Sequence, residues 1–240
     1  MTILKEKKLQ SSKKNRPLVI DLAKVSKSYW LHHQKPTLVE NISGLLRGQQ
    51  AKEKFTAISN LNLKVYAGDK IGIYGPNGVG KSTLLKLIAG ISSPTSGEIK
   101  VEGRVISLMD LTAGFHPDLT GEENILLNGL IVGMSKQEIE SRKQAIIEFS
   151  GLGDFINVPL YTYSNGMKLR LGFSVAIHAD PDILLLDEVI SAGDEAFKSK
   201  TAATMKELFK NDKTVIIVSH WLDYLEKNCD RLIFLERTAN

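Results

Sequence analysis

The stretch IGIYGPNGVGKST at residues 71–83 runs from an apolar segment through a glycine-rich turn into a polar segment. It contains the pattern G-x-x-x-x-G-K-[ST] between an expected strand at 70–74 and an expected helix at 81–89. In that context glycines let successive backbone N–H groups surround phosphate oxygens, and the dipole of the following helix favours the same negative charge. A glycine-rich turn that fits the pattern by chance is the alternative, and the flanking strand and helix argue against it. The predicted nucleotide contacts are Gly75, Pro76, Asn77, Gly78, Val79, Gly80, Lys81, Ser82 and Thr83.

Two acids form a second candidate site after the apolar run ILLL at residues 183–186. A buried parallel strand that ends in an acid places it at the carboxyl edge of the sheet, where ligands bind in open α/β folds. Asp187 is therefore a predicted Mg²⁺ ligand together with the Ser82 hydroxyl, and Glu188 is the predicted general base for an attacking water. Strands often end in solvated acids, so this prediction depends on the upstream turn, whose Lys81 is expected to reach the β- and γ-phosphates.

Apolar periodicity outward from these two sites predicts a mixed α/β fold. The order of strand, phosphate-binding turn, helix, helical insert and then alternating strands and helices is typical of a P-loop NTPase core with a helical subdomain. Ser135 is a candidate N-cap for one helix of that insert. Strands are expected at 18–29, 61–66, 70–74, 183–186 and 214–218, and helices at 81–89, 122–132, 136–149, from 165 onward and at 195–209.

Composition excludes several classes of protein. A chain of 240 residues with 42% hydrophobic content buries enough apolar surface for one large domain or two small lobes. No apolar run approaches the roughly 20 residues that a membrane-spanning helix needs, and the N-terminus has no apolar core with a cleavage site typical of a secretory signal. The single cysteine, Cys229, excludes an intramolecular disulfide and a cysteine-only metal site, which fits a reducing cytosol.

The positive charge is concentrated at the N-terminus. The chain carries +4, and residues 1–16, with six basic residues and one acidic residue, account for +5, so the remainder sums to −1. A nucleic-acid binder usually carries its positive charge on a folded face, so no nucleic-acid partner is expected. Residues 1–16 are predicted to be a basic flexible tail, which is either simply solvated or in contact with anionic lipid headgroups.

Further motifs lie between and after these two sites. The segment YSNGMK at 163–168 heads a predicted helix 23 positions before Asp187, SAGD occupies 191–194, and VSH occupies 218–220. This ordered set resembles the nucleotide-binding domains of ABC transporters from about residue 18 to residue 235. The resemblance implies that residues 17–240 form one such domain, with an antiparallel β subdomain and a helical subdomain at about 115–178.

The resemblance also implies roles for single residues. The signature residues Ser164, Asn165, Gly166 and Met167 would grip the γ-phosphate of ATP bound on the opposite subunit of a homodimer. Asp194 would link the two sites of that dimer, and His220 would sense the γ-phosphate or orient water. Tyr29 would stack on adenine, with Phe55 as a second candidate. The simpler alternatives are a helix N-cap for Ser164, a satisfied strand-end histidine for His220 and core packing for the aromatic rings.

Departures from the family pattern narrow the comparison. Asn165 replaces a glycine of the signature, and its tolerance of left-handed backbone would preserve the phosphate grip. Met167 replaces a glutamine, and the expected Q-loop glutamine is absent, with Asp110 as the nearest polar replacement for a Mg²⁺ or water contact. The tract AGFHPDLTGEEN at 113–124, the YSNGMK signature and the polar stretch at 31–54 resemble exporters of O-antigen, capsule and teichoic-acid polymers.

This resemblance predicts an ATPase subunit that uses ATP and Mg²⁺ to drive export of a cell-surface polysaccharide. A separate polytopic membrane permease would hold the subunit at the cytoplasmic face of the inner or plasma membrane. Because the chain ends at Asn240, no additional carbohydrate-binding domain is expected. An ABC motor for another substrate, and a soluble ABC ATPase acting on ribosomes or DNA, are the alternatives.

Overall fold

The computed structural model describes residues 2–9, 16–31, 53–187 and 195–237. The predicted base Glu188, the predicted D-loop acid Asp194 and the interior of the polar stretch, residues 32–52, lie outside the described residues. No helix in the described ranges has both the length and the apolar character needed to cross a bilayer.

A six-stranded sheet forms the centre of the fold, in the order β1-β9-β4-β8-β7-β6. Neighbours from β9 to β6 are parallel, and β1 is antiparallel to β9. The parallel strands β4 and β8 are apolar and buried along most of their length, as expected for strands covered on both faces. The strands are β1 Thr2–Lys8, β4 Lys70–Tyr74, β6 Val105–Ser107, β7 Ile183–Asp187, β8 Thr214–Val218 and β9 Arg231–Arg237.

A second sheet is antiparallel, with the order β3-β2-β5, and it confirms the expected antiparallel subdomain. Its strands are β2 Leu18–Leu31, β3 Glu53–Tyr66 and β5 Ser96–Val101. The strand expected at 61–66 begins earlier, at Glu53, because β2 continues to pair with it past several register shifts. Helix α1, Lys81–Ile88, contributes Leu84 and Leu85 to an apolar core that also includes Ile20 of the antiparallel sheet and Ile71 of the central sheet.

Wherever the sequence predicted a helix end after α1, including in the helical insert, the structure confirms it to within one residue. Further helices follow α1 in the chain. They are α2 Gly121–Ile131, α3 Lys136–Ser150, α4 Asn165–His178, α5 Glu195–Lys210 and α6 Leu222–Asn228, with short 3₁₀ helices at Gly153–Asn157 and Leu160–Thr162. Ser135 caps α3 as predicted, in a capping box with Glu138. Thr120 and Glu123 form the same arrangement at the start of α2.

Two arginines attach these helices to the core. Arg104, just before β6, contacts Glu138 at 3.1 Å and donates to the carbonyl oxygen of Ala179 at 2.5 Å. Arg142 of α3 donates to the carbonyl oxygen of His178 at 2.5 Å. Both arginines therefore satisfy carbonyls at the C-terminal end of α4. Hydrogen bonds from the Ser135 backbone and hydroxyl, followed by the one from Arg104, lower the pKa of Glu138 to about 2.

The N-terminal strand β1 replaces the expected flexible tail at residues 2–8, while residues 1 and 10–15 of that predicted tail lie outside the described residues. Residues Thr2 to Lys8 pair in continuous antiparallel register with Arg237 to Arg231. The charges that suggested a solvated tail instead form pairs: Lys5 lies 2.9 Å from Glu236, and Lys7 lies 2.9 Å from Glu226. Composition alone missed these partners because they lie more than 200 positions away.

A buried carboxylate links this strand to the rest of the core. Asp69, 1% exposed, accepts from Arg231 at 2.6 Å and lies 2.5 Å from Arg16, and the Tyr66 N–H donates to it at 3.1 Å. Arg231 also contacts Glu6 of β1 at 2.8 Å. The network joins β1, β9 and the turn between β3 and β4.

Replacing Asp69 with Asn should lower the free energy of unfolding by about 3 kcal/mol, because it removes the buried carboxylate that Arg16 and Arg231 share and leaves Glu6 as the acid in contact with Arg231. Urea unfolding followed by circular dichroism measures this. The control is Glu236→Gln, which breaks an exposed pair and should cost less than about 1 kcal/mol. Equal effects of the two substitutions would contradict a structural role for the network.

Candidate nucleotide-binding site

The phosphate-binding turn packs closely between β9 and β3. A Cβ atom at Gly75 would lie 2.6 Å from the carbonyl oxygen of Leu235 in β9. A Cβ atom at Gly80 would lie 2.7 Å from the carbonyl oxygen of Ala57 in β3, and the φ of Gly80 is +114°. Only glycine fits such backbone contacts without displacement. The turn is therefore fixed by its surroundings as well as by its own sequence.

Lys81 is buried at the end of this turn. Its Nζ donates to the carbonyl oxygens of Gly75 at 2.8 Å and Pro76 at 3.0 Å. Both acceptors are neutral, so the ammonium group keeps its full charge for an anion held by the turn. This explains the roles of Gly75 and Pro76, whose carbonyls orient the lysine side chain.

Ser82 and Asp187 meet across the sheet edge. The Ser82 hydroxyl donates to Oδ2 of Asp187 at 2.8 Å, which brings the start of α1 to the end of β7. A hydroxyl and a carboxylate fit Mg²⁺, which prefers oxygen ligands and is usually held by one or two carboxylates together with substrate phosphates. Among the described residues, no group of three or more His, Cys, Asp or Glu side chains could hold a metal ion on its own. These two residues therefore suit a metal ion that arrives with a phosphorylated ligand.

An open cavity of 620 Å³ lies over the turn. It contains most of the predicted nucleotide contacts, while Val79 is buried beneath them. Phe55 is part of the lining, and Tyr29 is its direct cross-strand partner on β2, with the Nζ of Lys27 5.1 Å from the centre of the tyrosine ring. The lining residues are Phe55, Ala57, Asn77, Gly78, Gly80, Lys81, Ser82, Thr83, Met109 and Asp187.

Sequence reasoning missed Ala57 and Met109 as lining residues. Met109 follows β6, which has only three residues and gives no periodic signal. The neighbouring Asp110 is engaged locally, because its Oδ1 accepts from the Thr112 N–H at 3.3 Å and the Thr112 hydroxyl at 3.0 Å. Asp110 is thus a turn-forming residue that lies beside the cavity lining.

The signature segment lies at the exposed start of α4. Ser164 is its N-cap, and the hydroxyl accepts from the Met167 N–H at 3.2 Å. Asn165 is the first residue of the helix, so the left-handed backbone invoked for it is not needed. Because the cap uses the backbone of residue 167, this hydrogen bond does not depend on which side chain occupies that position. Ser164, Asn165 and Gly166 do not line the cavity over the turn of their own chain.

His220 follows β8, whose neighbours in the sheet are β4 and β7. This order places His220 at the same carboxyl edge as the turn and Asp187. The backbone leaves β8 close to β4, since the Ser219 N–H donates to the carbonyl oxygen of Ile73 at 3.2 Å. The imidazole is exposed and makes an edge-to-face contact with Trp221 at 5.4 Å between ring centres.

Replacing Gly80 with Ala should destabilise the fold by about 3 kcal/mol, because strain at a positive φ is added to the clash with the Ala57 carbonyl. Gly78→Ala is the matched control: its φ is +75°, but nothing lies within 4 Å of the added Cβ, and the expected cost is about 1 kcal/mol. Urea unfolding of both variants checks the difference. Equal destabilisation would show that the close contact has no energetic effect.

Comparison with known proteins places this geometry in context. The ABC transporter family model matches residues 58–191. The chain is 44% identical over 219 residues to the O-antigen export system ATP-binding protein RfbB of Myxococcus xanthus, covering 90% of this chain and 50% of that protein. The protein of the same name from Klebsiella pneumoniae is 42% identical over 225 residues, with coverage of 91% and 90%.

The teichoic acids export ATP-binding protein TagH of Enterococcus faecalis is 45% identical over 181 residues, which cover 75% of this chain and 40% of that protein. The chain thus spans half or less of two of these relatives and nine tenths of the third. Among solved structures, the dimeric structure of MJ0796, a bacterial ABC transporter cassette, matches with a TM-score of 0.65 and 25% identity. That match covers 90% of this chain and 94% of the other.

Proposed function

The chain belongs to the ABC transporter family, and we propose that it is the ATP-binding and ATP-hydrolysing subunit of an exporter of a cell-surface polysaccharide. The observation that carries this proposal is the convergence of the glycine turn, Lys81 and the Ser82–Asp187 pair in one cavity. The names of the relatives support a polymer of the O-antigen, capsule or teichoic-acid type. In this proposal residues 17–240 form the ABC nucleotide-binding domain, with residues 115–178 as its helical subdomain.

We assign the steps of ATP hydrolysis to different residues in and around the cavity. The backbone N–H groups of residues 75–83 and the Lys81 ammonium hold the β- and γ-phosphates of ATP. Ser82 and Asp187 would hold Mg²⁺, which would supply positive charge beside the phosphates. Glu188 accepts a proton from the attacking water, and His220 contacts the γ-phosphate from the end of β8. Phe55 or Tyr29 stacks on the adenine ring.

Two copies of the chain are needed to complete each site. The N-terminus of α4, with Ser164 and Asn165, is exposed and separate from the cavity of its own chain. We propose that it closes on the γ-phosphate held by the second copy, where its N–H groups and dipole favour negative charge. In this arrangement we assign Asp194 the role of linking the two sites. The dimeric structure of the related cassette supports a homodimer.

The helical subdomain is the proposed contact with a polytopic membrane permease. Its surface exposes large apolar side chains of α2 and the 3₁₀ segments, including Leu126, Leu130, Phe155 and Tyr161. A groove of 450 Å³ in the same subdomain is lined in part by Phe115, Pro117 and Lys168. This contact would hold the subunit at the cytoplasmic face of the inner or plasma membrane.

Replacing Glu188 with Gln should reduce ATP turnover by about 100-fold or more, because the attacking water loses its base. The same variant should elute as a dimer in gel filtration with ATP and Mg²⁺, since bound ATP is no longer cleaved. Glu195→Gln, on the exposed first turn of α5, is the control and should turn over ATP normally. A Glu188→Gln chain that stays monomeric with ATP would count against the two-chain site.

Co-purification of the chain with its membrane partner from the native host tests the polymer assignment. ATP turnover of that complex should rise when one lipid-linked glycan is added, and Glu188→Gln should abolish the increase. If turnover does not respond to glycans, or if the co-purified transporter is unrelated to polymer export, the assignment as an ATPase subunit stands and the assignment to polysaccharide export fails.

A further inference from the structure

A second cavity, of 410 Å³, lies between the central sheet and the helices α5 and α6. Its floor is formed by Leu186 of β7 and Ile217 of β8, and Met205 and Phe209 of α5 form one wall. Most of its lining surface is apolar, and its volume is within the range of small-molecule sites. None of its lining residues belongs to the cavity over the phosphate-binding turn. The complete lining is Leu186, Lys198, Thr201, Ala202, Met205, Lys206, Phe209, Ile217, Ser219, Tyr224 and Asn228.

A buried hydroxyl in this lining lacks a hydrogen-bond partner. Thr201 is 3% exposed, and its Oγ1 has no partner in the part of the chain that the structure describes. A buried polar group normally finds a partner. Because Thr201 belongs to the lining, rotation of its side chain toward the cavity would let an occupant supply the missing hydrogen bond. Two other polar groups of the lining are engaged: Ser219 Oγ accepts from the Trp221 N–H, and Asn228 Nδ2 donates to the Tyr224 carbonyl.

Positive charge lies at the mouth of the cavity. Lys198 and Lys206 of α5 are exposed members of the lining, and none of the described residues that line the cavity is acidic. Lys198 lies 3.8 Å from Glu195, whose side chain is 91% exposed, so solvent weakens that pairing. An apolar interior with one unsatisfied hydroxyl and two lysines at the entrance fits a molecule with an apolar body and a single anionic group.

We propose that this cavity binds an amphipathic organic anion, with an aromatic or alkyl body against Met205 and Phe209 and a carboxylate or sulfonate near Lys198 and Lys206. The position of the cavity connects it to the proposed catalytic edge. Leu186 directly precedes Asp187, and Ser219 directly precedes His220. An occupant therefore touches both strand ends, and its binding should change the rate of ATP hydrolysis.

The binding test uses 8-anilinonaphthalene-1-sulfonate, an aromatic sulfonate whose fluorescence rises in apolar surroundings. We expect one site per chain that ATP and Mg²⁺ do not displace. Ala202→Leu should weaken binding by at least about tenfold by filling the cavity. Ala203→Leu, at the adjacent exposed position outside the lining, is the matched control and should bind normally. Displacement by ATP, or equal affinity of the two leucine variants, would overturn the proposal.

The charge test uses the double variant Lys198→Gln/Lys206→Gln. This variant should bind the anionic probe about three- to tenfold more weakly. The uncharged analogue N-phenyl-1-naphthylamine should bind as before. Equal loss for both probes would show that the lysines do not recognise the anion. This binding assay does not use ATP hydrolysis, so its result is independent of the proposed transport function.

The coupling to hydrolysis is measured in the same chains. Saturating probe should change ATP turnover in the wild-type chain and in Ala203→Leu, and should leave Ala202→Leu unaffected. Turnover that responds equally in all three chains would place the effect outside this cavity and overturn the coupling.

Discussion

The fold depends on the close approach of the phosphate-binding turn to backbone on both of its sides. At Gly75 the turn meets the Leu235 carbonyl of the central sheet, and at Gly80 it meets the Ala57 carbonyl of the antiparallel sheet. The turn thus fills the junction between the two sheets, and α1 continues from it into their shared apolar core. In the proposed site, stability and phosphate binding would share these residues, because the backbone that holds the sheets at this distance would also present its N–H groups to phosphate.

The sequence predicted the parts of this fold whose signals are local. Buried parallel strands such as β4 and β8 appear in the sequence as continuous apolar runs. Ser135 predicts the start of its helix because a capping box spans only four residues. The short β6 carries too few residues for a period, and β1 reads as a charged tail because its partner β9 lies at the opposite end of the chain. Charge pairing over such distances has no local signature.

The same distinction applies to the site. Ser82 and Asp187 are 105 positions apart, yet each carries a local motif, and the structure brings them to 2.8 Å. Asp110 was predicted only from its position in the sequence, and its carboxylate accepts a hydrogen bond from the Thr112 hydroxyl. For Tyr29 and Phe55, strand register makes the two rings neighbours, and only the three-dimensional arrangement shows that Phe55 lines the cavity. A motif therefore fixes chemistry, while non-local packing decides which of several similar side chains takes part.

The attachment of α4 explains how one helix can serve a site on another chain. Its C-terminal carbonyls are held by Arg104 from the core and Arg142 from α3, whereas its N-terminus with Ser164 is exposed. The helix is thus fixed at the end away from the proposed phosphate contact. Because Arg104 also contacts Glu138 at the cap of α3, one side chain sets the position of both helices relative to the central sheet. Arg104 precedes β6, and its N–H donates to the carboxylate of Asp182 just before β7, so this attachment lies at the amino edge of the parallel strands. The two helices are therefore held at the edge opposite Asp187 and His220, and the exposed N-terminus of α4 is the end that the proposed phosphate contact uses.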